Sequence, residues 1–203
     1  RDAYRLSFVA GGSASRASLL TADLGATVGN VGIEGISFDA RDGSFVFVKE
    51  KTPQEVNHAT ITFGSPGSAV VSSLFTPSLG VSDLSDVAVL SGVTELAGLP
   101  GADDLLIFSQ ESALLLHVTR SGSVLGSFDM SAYSAEAEGV AVAPDGTIYI
   151  VAESKIPSGG STLFVLSAVP EPGSLTLMGF GAALLGAWRR PRTAPRPETH
   201  RAR

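Results

Sequence analysis

The stretch Ile33-Glu34-Gly35-Ile36-Ser37-Phe38, followed by Asp42-Gly43 and a run that ends in Val48-Lys49-Glu50, recurs near the end of the chain. There it reads Ala137-Glu138-Gly139-Val140-Ala141-Val142, then Asp145-Gly146, then a run that ends in Val151-Ala152-Glu153. A degenerate copy lies between them: Leu84-Ser85-Asp86-Val87-Ala88-Val89, an insertion over 91–104, then Leu105–Phe108 and Ser109-Gln110-Glu111. The starts Glu34, Ser85 and Glu138 are 51 and 53 residues apart. Within each copy a short run rich in apolar and β-branched residues meets turn residues and then a second such run, the pattern of paired strands. Asp-Gly between two such runs suits the positive φ of a tight hairpin.

Outward from the repeats, further runs read as strands: 60–63, 114–119, 147–151 and 162–166. No segment before residue 168 carries a helical period. A repeat near 50 residues with about four short strands per unit points to propeller blades. The competing reading is chance likeness among Gly-rich hairpins of a sandwich or barrel. The expected fold is therefore all-β, with propeller-like repeats of short antiparallel strands near 31–80, 81–135 and 136–167 in a body of residues 1–167. About three blades fall short of the roughly four to eight of a closed ring. With Arg1 in place of Met, that shortfall leads to the expectation of an N-terminally incomplete propeller whose secretory signal lies upstream.

Charge is divided along the chain. Before Arg189 stand 8 Lys+Arg against 19 Asp+Glu, and from Arg189 onward six Arg against one Glu. An acidic body excludes nucleic acid as a partner, because phosphate contacts need a basic face. Cysteine is absent, which removes disulfides, thiolate metal sites and cysteine nucleophiles.

Residues 168–203 read as an appendage. Val169-Pro170-Glu171-Pro172 is followed by an apolar run, Gly173–Trp188, of 16 residues without charge, then by Arg189, Arg190 and Arg192 in a basic tail over 189–203. As a helix this run spans roughly 24 Å against the ~30 Å of a hydrocarbon core, which makes it a short transmembrane helix suited to being held and then cut. The arginines favour the cytoplasmic side and leave the body outside. Pro170 and Pro172 keep Glu171 in extended, accessible backbone. A core helix would show a polar face and a plain anchor would be longer.

Candidate chemistry in the body is carboxylate chemistry. Glu34 and Glu138 are equivalent, Asp86 lies one residue on in the middle copy, and Glu50 and Glu153 close equivalent strands. Oxygen ligands converging from several blades would suit Ca²⁺; the alternative is that Glu-Gly caps a turn. His58 and His117 stand singly. Neither a Gly-x-Ser-x-Gly elbow nor a phosphate-binding loop ending in Gly-Lys-Ser/Thr occurs.

The segments "IEGISFDARDGSFVFVKE" (33–50), "DLSDVAVL" (83–90), "LLIFSQESALLLHVTRSGSVLGSFDM" (105–130) and "AEGVAVAPDGTIYIVAES" (137–154) resemble the SdiA-regulated family. Those exported, propeller-like proteins are similar in appearance to phytase-like esterases. Residues 169–190 resemble the PEP-CTERM sorting domain, which implies an exosortase as partner, transient holding at the inner membrane, and delivery to the cell surface or extracellular matrix. The long continuation after Arg192 departs from that pattern. Together these likenesses imply a non-catalytic binding module, for polysaccharide or another matrix component. The alternative they imply is a Ca²⁺-dependent phytase-like esterase or phosphoester hydrolase.

Overall fold

The computed structural model describes residues 2–7, 9–25, 32–133, 136–153 and 160–167. All belong to one compact unit, Arg1–Ser167. The sorting motif Val169–Pro172, the apolar run 173–188 and the arginines Arg189, Arg190 and Arg192 lie outside the described residues. Among the described residues no helix is long and apolar enough to cross a membrane.

The body is all-β and antiparallel. A hairpin of β1 (Asp2–Arg5) and β2 (Leu20–Asp23) precedes three meanders. The first sheet orders β3 (Ile33–Asp39), β4 (Ser44–Lys49), β5 (Glu55–Thr62) and β6 (Ser68–Phe75) side by side. The second does the same with β7 (Asp86–Val89), β8 (Leu105–Ser109), β9 (Leu114–Val118) and β10 (Val124–Asp129). The third has β11 (Ala137–Val142), β12 (Ile148–Ala152) and β13 (Thr162–Leu166). The first strands of successive sheets pack on one another, β3 on β7 and β7 on β11, which gives a propeller-like arrangement.

Alternation along the strands decides the packing. Val46, Val48 and Val56 of the first sheet bury against Val87, Val89, Leu105, Ile107, Leu116 and Val118 of the second. The other side of the second sheet, Ala88, Leu106, Phe108 and Leu115, meets Val140, Ile150 and Ala152 of the third. The middle sheet is covered on both faces, so β8 is buried at all five positions. An unbroken Leu-Leu-Ile-Phe run is what such a doubly covered strand needs. Each fully buried aliphatic side chain there stabilises the fold by about 1.5–3 kcal/mol. Phe47, on the far side of the first sheet, packs with Leu24 and Ala3 of the hairpin region.

The Asp-Gly turns differ from the tight two-residue form expected of them. Asp39 pairs with Ser44, leaving a four-residue loop in which Gly43 has φ 75°. In the third sheet Ala143 N–H donates to Thr147 O across a three-residue loop in which Gly146 has φ 80°. Each aspartate instead binds the chain ahead of it. Asp42 Oδ1 accepts from Ser44 N at 3.1 Å, and Asp145 Oδ1 accepts from Thr147 N at 3.0 Å. That is the Asx-turn role of a short acidic side chain. Strands β1, β2, β6 and β10 extend beyond the runs visible by pattern; β10 is exposed at every position, so no buried face marks it.

Candidate functional site

The first strands of the three sheets begin at a common mouth. A cavity of about 430 Å³ there is lined by Glu34, Glu50, Asp83, Ser85, Asp86, Gln110, Glu138, Gly139 and Val151. Four of the five carboxylates singled out by their place in the repeat come together in it. Glu153, the fifth, is exposed and outside the lining, and its N–H donates to Glu136 O at 2.9 Å.

Glu34 and Glu138 reach this mouth by the same device. In β3 the register passes from Ile33↔Lys49 to Gly35↔Val48, so Glu34 is an extra residue without an opposite partner. In β11 it passes from Ala137↔Ala152 to Gly139↔Val151, and Glu138 is the extra residue. Such bulges re-aim a side chain and often sit beside functional sites. The glycine that follows each glutamate is their sequence sign. In the middle sheet Asp86 faces Phe108 without a shift, and no bulge forms.

The side chains have distinct surroundings. Asp86 Oδ1 accepts from Val87 N at 2.8 Å, and its Oδ2 accepts from Val140 N of the third sheet at 2.7 Å. Burial nevertheless pushes its carboxyl up to about 6, outweighing both donors. Glu34 is also raised, first by burial and then by the charge of Glu50, with Glu138 adding to the push against the backbone hydrogen bond of Gly32. Glu138 Oε1 accepts from Gln110 Nε2 at 2.8 Å. Glu50 lies 3.0 Å from Lys51 Nζ, and the same ammonium holds Glu111. Asp83 is buried, and its Oδ1 accepts from the Ser109 hydroxyl and from Glu111 N at 3.1 Å. Asp83 therefore fixes the turn after β8 rather than facing the cavity freely.

Asp83 and Gln110 are not marked by the repeat. Gln110 occupies the β8–β9 turn, inside the quoted Ser-Gln-Glu string, but only the fold brings it to Glu138. Among the described residues no group of three or more His, Asp or Glu side chains is gathered so as to hold a metal ion. Among the described residues the lining has no Lys or Arg, and its polar groups are hydrogen-bond acceptors with one amide and one hydroxyl. His58 and His117 lie elsewhere, His58 beside Asp42 at 3.6 Å and His117 Nε2 at 2.9 Å from Asp104 Oδ2.

Comparison with known proteins divides the chain where the repeats end. The PEP-CTERM protein-sorting motif matches residues 168–190, which implies export to the cell envelope and processing by an exosortase. Among solved structures a glucose dehydrogenase aligns at TM-score 0.40 and 15% identity, over 68% of this chain. The chain corresponds to 40% of that protein's length. The SdiA-regulated family matches residues 11–157, which hold all three sheets' inner strands and the whole mouth, and the chain belongs to that family.

Proposed function

We propose that this chain is an exported envelope or matrix protein whose body is a binding module, and that the mouth takes an uncharged, hydroxyl-rich polysaccharide. The observation that carries the reading is the convergence of two bulge glutamates from different sheets with Gln110 and Ser85 in one cavity. Carboxylates and an amide offer paired acceptors and donors to adjacent sugar hydroxyls. The acidic lining disfavours anionic polymers by like-charge repulsion. The tag supplies delivery: the 16-residue apolar run is a brief membrane hold with the body outside, and Glu171 between its prolines is presented to the exosortase.

One observation favours a second reading. Glu34 is raised first by burial and then by the charges of Glu50 and Glu138, and a divalent cation held among the three after side-chain adjustment would relieve those charges; oxygen donors suit Ca²⁺. Of the other carboxylates read from the repeat, Asp86 is engaged by backbone donors and Glu153 lies outside the lining. Phosphoester hydrolysis gains less from the mouth, since its described lining residues supply no cation to clamp a phosphate.

The test is equilibrium binding of the purified full chain to a neutral β-glucan and to polygalacturonate, each with and without calcium. Retention of the neutral polymer, lost in the E34Q/E138Q double variant, is expected; no binding of neutral polymer by the wild type sinks the reading. Calcium supports the second reading if it raises Tm in the wild type and leaves the double variant unmoved.

A further inference from the structure

The middle copy of the repeat departs from the other two beside its aligned start, where Ser85 replaces the glutamate and Asp86 the glycine. Aligned on Glu34, Ser85 and Glu138, the next residues are Gly35, Asp86 and Gly139. A carboxylate stands where both neighbouring sheets have no side chain at all.

The structure shows why Gly35 and the aspartate belong together, while Gly139 is held to glycine by Val151 of its own sheet. A Cβ on Gly35 would lie 2.3 Å from Asp86 Oδ1 and 2.5 Å from Asp86 Cα, so the first strands of sheets one and two approach at a distance only glycine allows. A Cβ on Gly139 would lie 3.7 Å from Asp86 Oδ2 and 2.6 Å from Val151 Cγ2. Into this gap Asp86 sends one oxygen to its own strand, at Val87 N, and the other across to β11, at Val140 N. Val140 is two residues from Glu138, and Gly35 is next to Glu34.

We infer that Asp86 is a positioning residue: its carboxylate is the keystone that ties β11 to β7 by a hydrogen bond and packs β7 on Gly35 of β3, and so sets the separation of the mouth glutamates Glu34 and Glu138. Its two oxygens are spent on backbone donors, so Asp86 acts on a ligand through the glutamates it spaces. The inference rests on the mouth being the binding site, but its geometry can be measured without any ligand.

The absence of cysteine permits clean labelling. Nitroxides placed by E34C and E138C in the full chain report the separation of the two bulges by pulsed dipolar spectroscopy. A second pair, T60C with V70C, lies on facing residues of one sheet and reports local integrity. With Asp86 present, the 34–138 distribution is expected to be single and narrow. In the D86A background it should broaden at least twofold while the 60–70 pair stays unchanged. Should D86A fail to fold, D86N decides: one acceptor remains, and broadening confined to the 34–138 pair is expected. An unchanged 34–138 distribution in whichever folded variant is measured overturns the keystone. Failure of the neutral polysaccharide to bind leaves this result intact, so the two ideas fail separately.

Discussion

The inner strands of the first two sheets are joined at both ends, and the two joints are built on opposite principles. At the far end Asp39 closes β3 with its side chain wholly buried and fully answered. It accepts from Ser91 Oγ at 2.8 Å and Arg41 N at 3.1 Å, and it is paired with the Arg120 guanidinium from the β9–β10 turn. Arg120 Nε in turn donates to Asp103 O at 2.9 Å. At the mouth, carboxylates gather with no Lys or Arg among the described lining residues; burial raises Asp86, and burial followed by the charge of Glu50 raises Glu34. One joint pairs its buried carboxylate with a guanidinium and holds the sheets together, although Arg120 Nη1 is buried there without a hydrogen-bond partner. The other carries carboxylates raised by burial and by their neighbours, a pattern common where a site serves something other than stability.

The largest effect should come from breaking the far joint. Arg120→Ala leaves Asp39 charged, buried and short of its main partner, and loss of one member of a buried pair costs about 3–5 kcal/mol. The urea midpoint of the full chain should fall accordingly. The double variant R120M/D39L, which removes both charges, should recover much of the loss. An R120A midpoint equal to that of the wild type would show that the far joint carries no special weight and would erase the contrast.

How much of this contrast is legible in the sequence follows from the kind of information each joint uses. The mouth is partly legible because Glu-Gly recurs at a fixed offset, and repetition exposes equivalent positions without knowing their contacts. The bulges themselves have a local sign, a glycine inside a strand pattern, which serves in pattern reading only as a repeat marker. The far joint is illegible: Asp39 and Arg120 are 81 residues apart, and only the stacking of sheet on sheet brings them together. Strands β6 and β10 are hidden for a related reason. They lie at outer edges where one or both faces meet solvent, so alternation fades. The doubly buried β8, with its uninterrupted apolar run, is the easiest to read.

Stability should respond to pH through the raised carboxylates of the mouth. Asp86 has a folded-state carboxyl raised to about 6 from 3.8, so the folded protein holds that proton more tightly than the unfolded chain. Its protonation therefore adds stability that is complete below about pH 4 and is lost as pH rises through about 6. The tighter hold on this proton is worth about 3 kcal/mol as an upper bound. Glu34 acts in the same direction. Asp42, Asp129 and Asp145 are lowered and act oppositely, losing their contribution as pH falls below the usual carboxylate range. The informative quantity is therefore the wild-type stability minus that of D86N between about pH 4.5 and 7. It should decline steadily with rising pH; a flat difference would mean that Asp86 is as well solvated as an ordinary surface carboxylate.

The smallest effect has the most diagnostic sign. Glu34 is crowded by Glu50 and Glu138, so Glu34→Gln removes repulsion while keeping the shape and hydrogen-bonding capacity of the side chain. At pH 7 the variant should be slightly more stable than the wild type, by less than about 1 kcal/mol given the partial exposure of the group. The same change should weaken retention of neutral β-glucan. Substitution at a purely structural position almost always destabilises, whereas a site kept for binding gains stability as it loses function. A modest rise in Tm with loss of binding places Glu34 in the second class. A fall in Tm would mean that the bulge glutamate holds its own strand in place, and that the mouth, like the far joint, is there to keep the sheets together.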